Sequence, residues 1–111
     1  MNRIALLATF ILLLASPAFA GKVFGNLKEG GRSVGSGVEV QITCSGRPSI
    51  TIKTDDYGAY STDVPPGMKC ELKVKYSNQW TDPAFVVSSN DPARYDFELV
   101  NENGKYVLKR R

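Results

Sequence analysis

The chain has 111 residues, with 14 basic and 11 acidic side chains, two cysteines, one tryptophan and no histidine. That length holds one domain and hardly two, and a net charge of +3 is too small for the strongly basic face of a nucleic-acid binder. Without histidine no Ser-His-Asp or Cys-His relay can be assembled, and with no CxxC either, the residues argue against a zinc or thioredoxin-like site.

The first twenty residues have the layout of a secretory signal. A positive start (Met1-Asn2-Arg3) leads into the apolar run Ile4 to Ala15 and an A-x-A exit at Ala18-Phe19-Ala20, the order such signals share. The run is shorter than the roughly 20 apolar residues that span a bilayer. Cleavage is expected after Ala20, leaving 111 − 20 = 91 residues with a charge of +3 − 1 = +2, since only Arg3 departs. Residues 21–111 then form a single exported domain that does not span the membrane. No cysteine follows the exit, which argues against a lipid-modified terminus. The lack of any N-x-S/T sequon, with the style of the signal, points to a bacterial source and to the periplasm or the medium.

From Gly21 onward the apolar period is two, the signature of half-buried strands. A first strand is expected at Lys22–Leu27. In the next, Val38, Val40, Ile42 and Cys44 share one face and Glu39, Gln41 and Thr43 the other. Ser49–Thr54 follows. Thr54-Asp55-Asp56-Tyr57-Gly58 reads as a tight turn, with an aspartate bonding the backbone ahead and glycine supplying a positive φ. The strand Gly58–Val64 turns Tyr60, Thr62 and Val64 inward, and Pro65-Pro66-Gly67 reverses the chain again. Cys70, Leu72, Val74 and Tyr76 then point inward against Lys69, Glu71, Lys73 and Lys75. Strands at Ala84–Ser88, at Arg94–Val100 with Tyr95, Phe97 and Leu99 inward, and at Lys105–Lys109 complete the series. A basic tail, Lys109-Arg110-Arg111, closes the chain as a solvated end. Many short strands with turn-rich connections indicate an antiparallel sandwich or barrel. Cys44 and Cys70 both face inward in an exported domain, so a disulfide is expected. Closing a loop of about 25 residues is worth roughly 3.5 kcal/mol on a chain-entropy basis, a large share of a typical ~5–15 kcal/mol.

The order "GKVFGNL" (21–27), "GSGVEVQI" (35–42), "TDDYGAY" (54–60), "VPPGMKCELKV" (64–74) and "YDFEL" (95–99) resembles the carboxypeptidase regulatory-like domain. That domain is grouped with Cna B-type and transthyretin-like sandwiches, and its pattern is G-x-V-x-G, G-V-x-V, T-x-x-x-G-x-Y and P-P-G. The resemblance implies a prealbumin-like antiparallel β-sandwich of seven or eight strands and a non-catalytic accessory, adhesive or ligand-binding module. Transthyretin-like hydrolases need histidines and a "YRGS"-type ending, whereas this chain ends "YVLKRR". Some Cna B-type relatives form an isopeptide bond. Lys22 would be its nucleophile and Asn101 or Asp96 its acceptor, but Val74 stands where the assisting acid belongs.

Candidate sites follow from residue type. The acids Glu39, Asp56, Asp63, Glu71 and Glu98 fall at outward or turn positions, which suits solvated charge better than paired glycosidase carboxylates. Asp55, Asp56 and Asp63 lack EF-hand spacing, so a turn is preferred to a calcium site. No metal or cofactor is expected. Trp80, with Tyr76, Asn78, Gln79 and Asp82, offers an aromatic ring beside amides and an acid, as a sugar-binding site requires. Alternatively Trp80 folds back to cap the open end of the sandwich. Phe24, on the outward phase of the first strand, offers a second surface or packs on Tyr106. Two functions follow: a structural or protein-interaction module, and a small carbohydrate-binding protein acting through Trp80.

Overall fold

The computed structural model describes residues 21–111, so the signal segment and its cleavage after Ala20 lie outside the described residues. The described chain is all β: β1 (Gly21–Glu29), β2 (Arg32–Ser33), β3 (Glu39–Cys44), β4 (Ile50–Lys53), β5 (Ala59–Val64), β6 (Lys69–Tyr76), β7 (Gln79–Trp80), β8 (Ala84–Val87), β9 (Ala93–Arg94), β10 (Phe97–Glu102) and β11 (Lys105–Arg110). With the two-residue segments β2, β7 and β9 set aside, eight strands remain; seven match their expected spans to within a residue or two at each end, and β10 begins three residues after the expected Arg94.

Two sheets form. In the first, β1 is central, with β5 and β2 along one side, β9 and β10 along the other, and β11 outside β10. In the second the order is β4-β3-β6, with β7 and β8 sharing the far side of β6. The inward residues Val23, Leu27, Tyr60, Val64, Phe97 and Leu99 of the first sheet meet Val40, Ile42, Leu72, Val74 and Val86 of the second in one buried core. Each of these aliphatic side chains is worth roughly 1.5–3 kcal/mol when removed from water.

The pairing is not wholly antiparallel, which corrects the sequence expectation. β1 runs parallel to β9, with Val23 opposite Ala93, and parallel to β10, with Leu27 opposite Phe97. Period-two alternation fixes which face of a strand is buried but says nothing of the direction of its neighbour. The span Arg94–Val100 is likewise not one strand. Tyr95 and Asp96 fall between β9 and β10.

Gly25 explains that interruption. Tyr60 lies opposite Gly25 across the β1–β5 ladder, and its hydroxyl donates to the Tyr95 carbonyl at 2.5 Å. A Cβ on Gly25 would stand 1.8 Å from that carbonyl oxygen. Glycine therefore lets the Tyr95 backbone press onto β1 while the Tyr60 ring reaches across it. The Asn26 amide is satisfied instead by Asp96 Oδ1 at 2.8 Å. Burial raises the Tyr60 phenol well above its ordinary value, and the nearby Asp96 carboxylate adds to the rise.

The disulfide Cys44–Cys70 is formed, with its Cα atoms 4.0 Å apart. It joins directly opposed residues of β3 and β6, so it staples one sheet rather than bridging two. The "TDDYG" turn also forms. Asp55 Oδ1 accepts from the amides of Tyr57 (2.8 Å) and Ala59 (2.9 Å), and Gly58 has φ +74°. Gly58 does more than turn the chain. Its carbonyl accepts from Leu27 N at 2.9 Å, and a Cβ there would meet Ser33 Oγ at 2.6 Å and the Leu27 carbonyl oxygen at 2.9 Å.

Candidate binding face

The residues singled out around Trp80 do not share one surface. The stretch after Tyr76 is not an open loop but a hairpin. Ser77 and Asn78 turn it with φ of 51° and 64°, the left-handed pair that two-residue hairpins favour. Gln79 pairs with Tyr76, and Trp80 with Lys75. Alternation then sends Gln79 and Trp80 to opposite sides of the second sheet. Trp80 neither caps the end of the sandwich nor joins Tyr76 as a platform. It lies on the outer face, 38% exposed, with Lys73 Nζ 5.9 Å from its ring centre. Asp82 is engaged by Lys105 Nζ at 2.9 Å. Thr81, next to Trp80, is buried and accepts from Val74 N at 3.1 Å through Oγ1, which pins this short strand to β6.

Tyr76 serves architecture. Its hydroxyl donates to Glu29 Oε1 at 2.7 Å, and the Tyr106 hydroxyl donates to Glu29 Oε2 at 2.8 Å. The two rings meet edge to face with centres 5.0 Å apart. One carboxylate at the end of β1 thus ties β6 to β11 and closes one end of the sandwich. The hydrogen bonds from Tyr76 and Tyr106 hold the Glu29 carboxyl below its ordinary value. In return the bond to Glu29 pushes the Tyr76 phenol up to about 12. Tyr106 therefore packs on Tyr76 and not on Phe24, whose ring instead lies 5.8 Å from the Arg94 guanidinium carbon.

The other candidates are placed as follows. Lys22 is exposed on β1 opposite Asp63. Asp96 is held by Arg94 Nε at 2.9 Å, and Asn101 Oδ1 accepts from Gly104 N. Burial raises the Asp96 carboxyl, but the Asn26 amide and Arg94 outweigh it and leave it below its ordinary value. Val74, at the position of the assisting acid, is fully buried. Asp55 is committed to its turn, and Asp56 and Asp63 are exposed. Among the described residues no three carboxylates gather into a metal cradle.

What the structure does assemble is the outer face of the second sheet. Phe85 is 56% exposed and Val87 52%, opposite Glu71 and Lys69 on β6. The Lys69 ammonium sits 4.5 Å from the centre of the Phe85 ring. Along the same face run Lys73 and Lys75, then Glu39, and Lys53 opposite Glu39 on β4. Three of the four large exposed apolar side chains in the described chain lie here, the fourth being Tyr57 at the β4–β5 turn. The ion pairs at Asp82, Asp96, Glu98 and Glu102 draw on Lys105, Arg94, Arg111 and Lys109, and none includes Lys53, Lys69, Lys73 or Lys75. A shallow open depression runs from Phe85 and Lys69 to Ser45, Gly46, Arg47 and Pro48 in the β3–β4 loop. Sequence reasoning placed the β6 lysines outward but singled out neither Phe85 nor Val87. In "AFVV" inward and outward residues are all apolar, so the run hides its own phase. No protein-family model matches the chain, and no curated protein matches it either.

Proposed function

We propose that this protein is an exported, non-catalytic module that works by attachment through the outer face of its second sheet. The observation that carries the reading is the set of Trp80, Phe85 and Val87, exposed together among lysines without carboxylate partners. Exposed apolar clusters rimmed by polar groups mark interaction sites. The absence of histidine leaves the hydroxyl nucleophiles without their usual base, which supports a non-catalytic role. A disulfide is compatible with an oxidising compartment, and export is proposed on the signal-like start of the sequence. A carboxypeptidase regulatory-like, prealbumin-type topology is proposed on the order of its glycine and proline motifs. The carbohydrate reading loses its geometric support, because Tyr76 and Trp80 face apart.

The test is retention on the cell-envelope fraction. Trp80→Ser with Phe85→Ser should abolish retention while lowering the melting temperature by no more than about 4–8 °C, since two exposed substitutions at ~0.5 kcal/mol each sum to ~1 kcal/mol. Phe24→Ser, on the first sheet, should be retained like the parent. Equal retention of all three proteins would refute this reading.

A further inference from the structure

We propose that the partner of this face is an anionic phospholipid surface, with Phe85, Val87 and Trp80 entering the interface and Lys53, Lys69, Lys73 and Lys75 meeting the headgroups. The inference rests on reading the second sheet's outer face as the binding surface, and it names what that surface meets.

Shape comes first. The face is a sheet with an open depression at one end, so it suits a broad, flat ligand better than a small enclosed one. Its three lysines on β6 are spread over six residue steps from Lys69 to Lys75, roughly 20 Å at strand rise.

Charge comes next. Four lysines stand against Glu39 and Glu71 on this face. Lysine is a hydrated point charge on a flexible stem, suited to a crowd of phosphates rather than to bidentate recognition of one group. Long stems let the ammonium groups stay at headgroup level while the apolar residues between them sink.

The apolar set then selects lipid over sugar or polyanion. Sugar stacking needs open ring faces, yet Lys69 sits over the Phe85 ring and Lys73 near that of Trp80. A saccharide would have to displace those ammonium groups, whereas a bilayer admits the rings and leaves the ammonium groups among phosphates. Val87 is aliphatic and adds nothing to stacking, but it adds to the apolar area buried in an interface. Tryptophan is itself enriched at the headgroup level of bilayers. Charge attraction and shallow insertion together are what hold peripheral proteins reversibly.

The experiment uses the oxidised, exported protein with its N-terminus verified, and vesicles of phosphatidylcholine and phosphatidylglycerol at 3:1, in about 50 mM salt. Trp80 is the sole tryptophan, so its emission reports the face directly. The expected result is co-sedimentation with a blue shift of that emission, weakened by added salt and absent with pure phosphatidylcholine. Lys69→Gln with Lys73→Gln should weaken partitioning about 25-fold, at roughly fivefold per lysine. Phe85→Ser with Val87→Ser should remove most of the remainder, and Phe24→Ser should change nothing. The inference is overturned by no binding at low salt, or by binding without an emission shift and insensitive to the Lys69 and Lys73 changes. Binding to soluble polygalacturonate but not to vesicles also overturns it. If the face variants lose envelope retention while parent protein ignores protein-free vesicles, attachment stands and the partner is a protein.

Discussion

The two sheets of this sandwich divide their tasks differently. The first is organised by close backbone approach: Gly21 and Gly25 of β1 leave no room for a Cβ against Val64 and Tyr95, and Gly58 docks its turn onto Leu27 and Ser33. Its outer surface is dressed with ion pairs such as Arg94–Asp96 and Lys109–Glu102. The second sheet is regular, stapled internally by one disulfide, and presents exposed aromatics with lysines that lack ion-pair partners. The close backbone approaches lie in the first sheet, and three of the four large exposed apolar side chains lie on the second.

The sharpest way to break this comparison is at Gly25. Gly25→Ala sets a methyl against the Tyr95 carbonyl, with the oxygen only 1.8 Å from the ideal Cβ position. We expect a loss of about 4 kcal/mol or more, the range reserved for severe lesions, or no folded protein. Gly46 in the β3–β4 loop has φ +74° but nothing within 4 Å of a Cβ. Gly46→Ala should cost only about 1–2 kcal/mol, the local left-handed penalty. Urea melts of the two variants measure the contrast, and equal costs would remove it.

Next in size is Cys70→Ala, expected to cost about 2–5 kcal/mol in thermal or urea unfolding. Because the bond joins strands already paired, the folded variant should keep its native β spectrum.

Gly58→Val follows at about 3 kcal/mol, the upper end for a strained backbone position, since positive φ and contact with the Leu27 carbonyl act together. Chelator should leave the parent's melting temperature unchanged, because Asp55 Oδ1 is taken up by the Tyr57 and Ala59 amides.

The smallest effect is a pH dependence. Glu29 has a lowered carboxyl value in the fold, so its contribution is present above the unfolded carboxylate range and lost as pH falls through the folded value. Tyr76, raised to about 12, contributes below its unfolded value of about 10 and loses that contribution as pH rises through about 12. Glu29→Gln should flatten both limbs of a plot of melting temperature against pH. An unchanged profile would show that the Tyr76–Glu29–Tyr106 bridge does not couple to folding.

Much of the fold was legible because alternation is local. Val40, Ile42 and Cys44 against Gln41 and Thr43, or Cys70, Leu72 and Val74 against Lys69 and Glu71, declare their faces within a few residues. The disulfide followed from the phase of its two cysteines. Strand direction did not follow: the parallel seam between β1 and β10 joins residues 70 positions apart, and no local pattern encodes it. The Glu29 bridge was equally hidden, since its partners lie 47 and 77 residues away. Trp80 was singled out together with Tyr76, which lies on the other side of the second sheet. Its neighbours in sequence point elsewhere, while its true companions, Phe85 and Val87, come from another strand. The dipeptide Asn103-Gly104, with φ of 56° and 87°, is a hairpin signal that the sequence did offer between β10 and β11.

The most direct test of the division between the sheets is an amine-acylation footprint of the purified, oxidised protein, read by mass spectrometry, with and without envelope membranes. Lys69, Lys73 and Lys75 on the second sheet should become protected when membranes are present, while Lys22 and Lys28 on the first stay as reactive as before. Protection of Lys22 and Lys28, or equal reactivity of all five, would contradict the assignment of attachment to the second sheet.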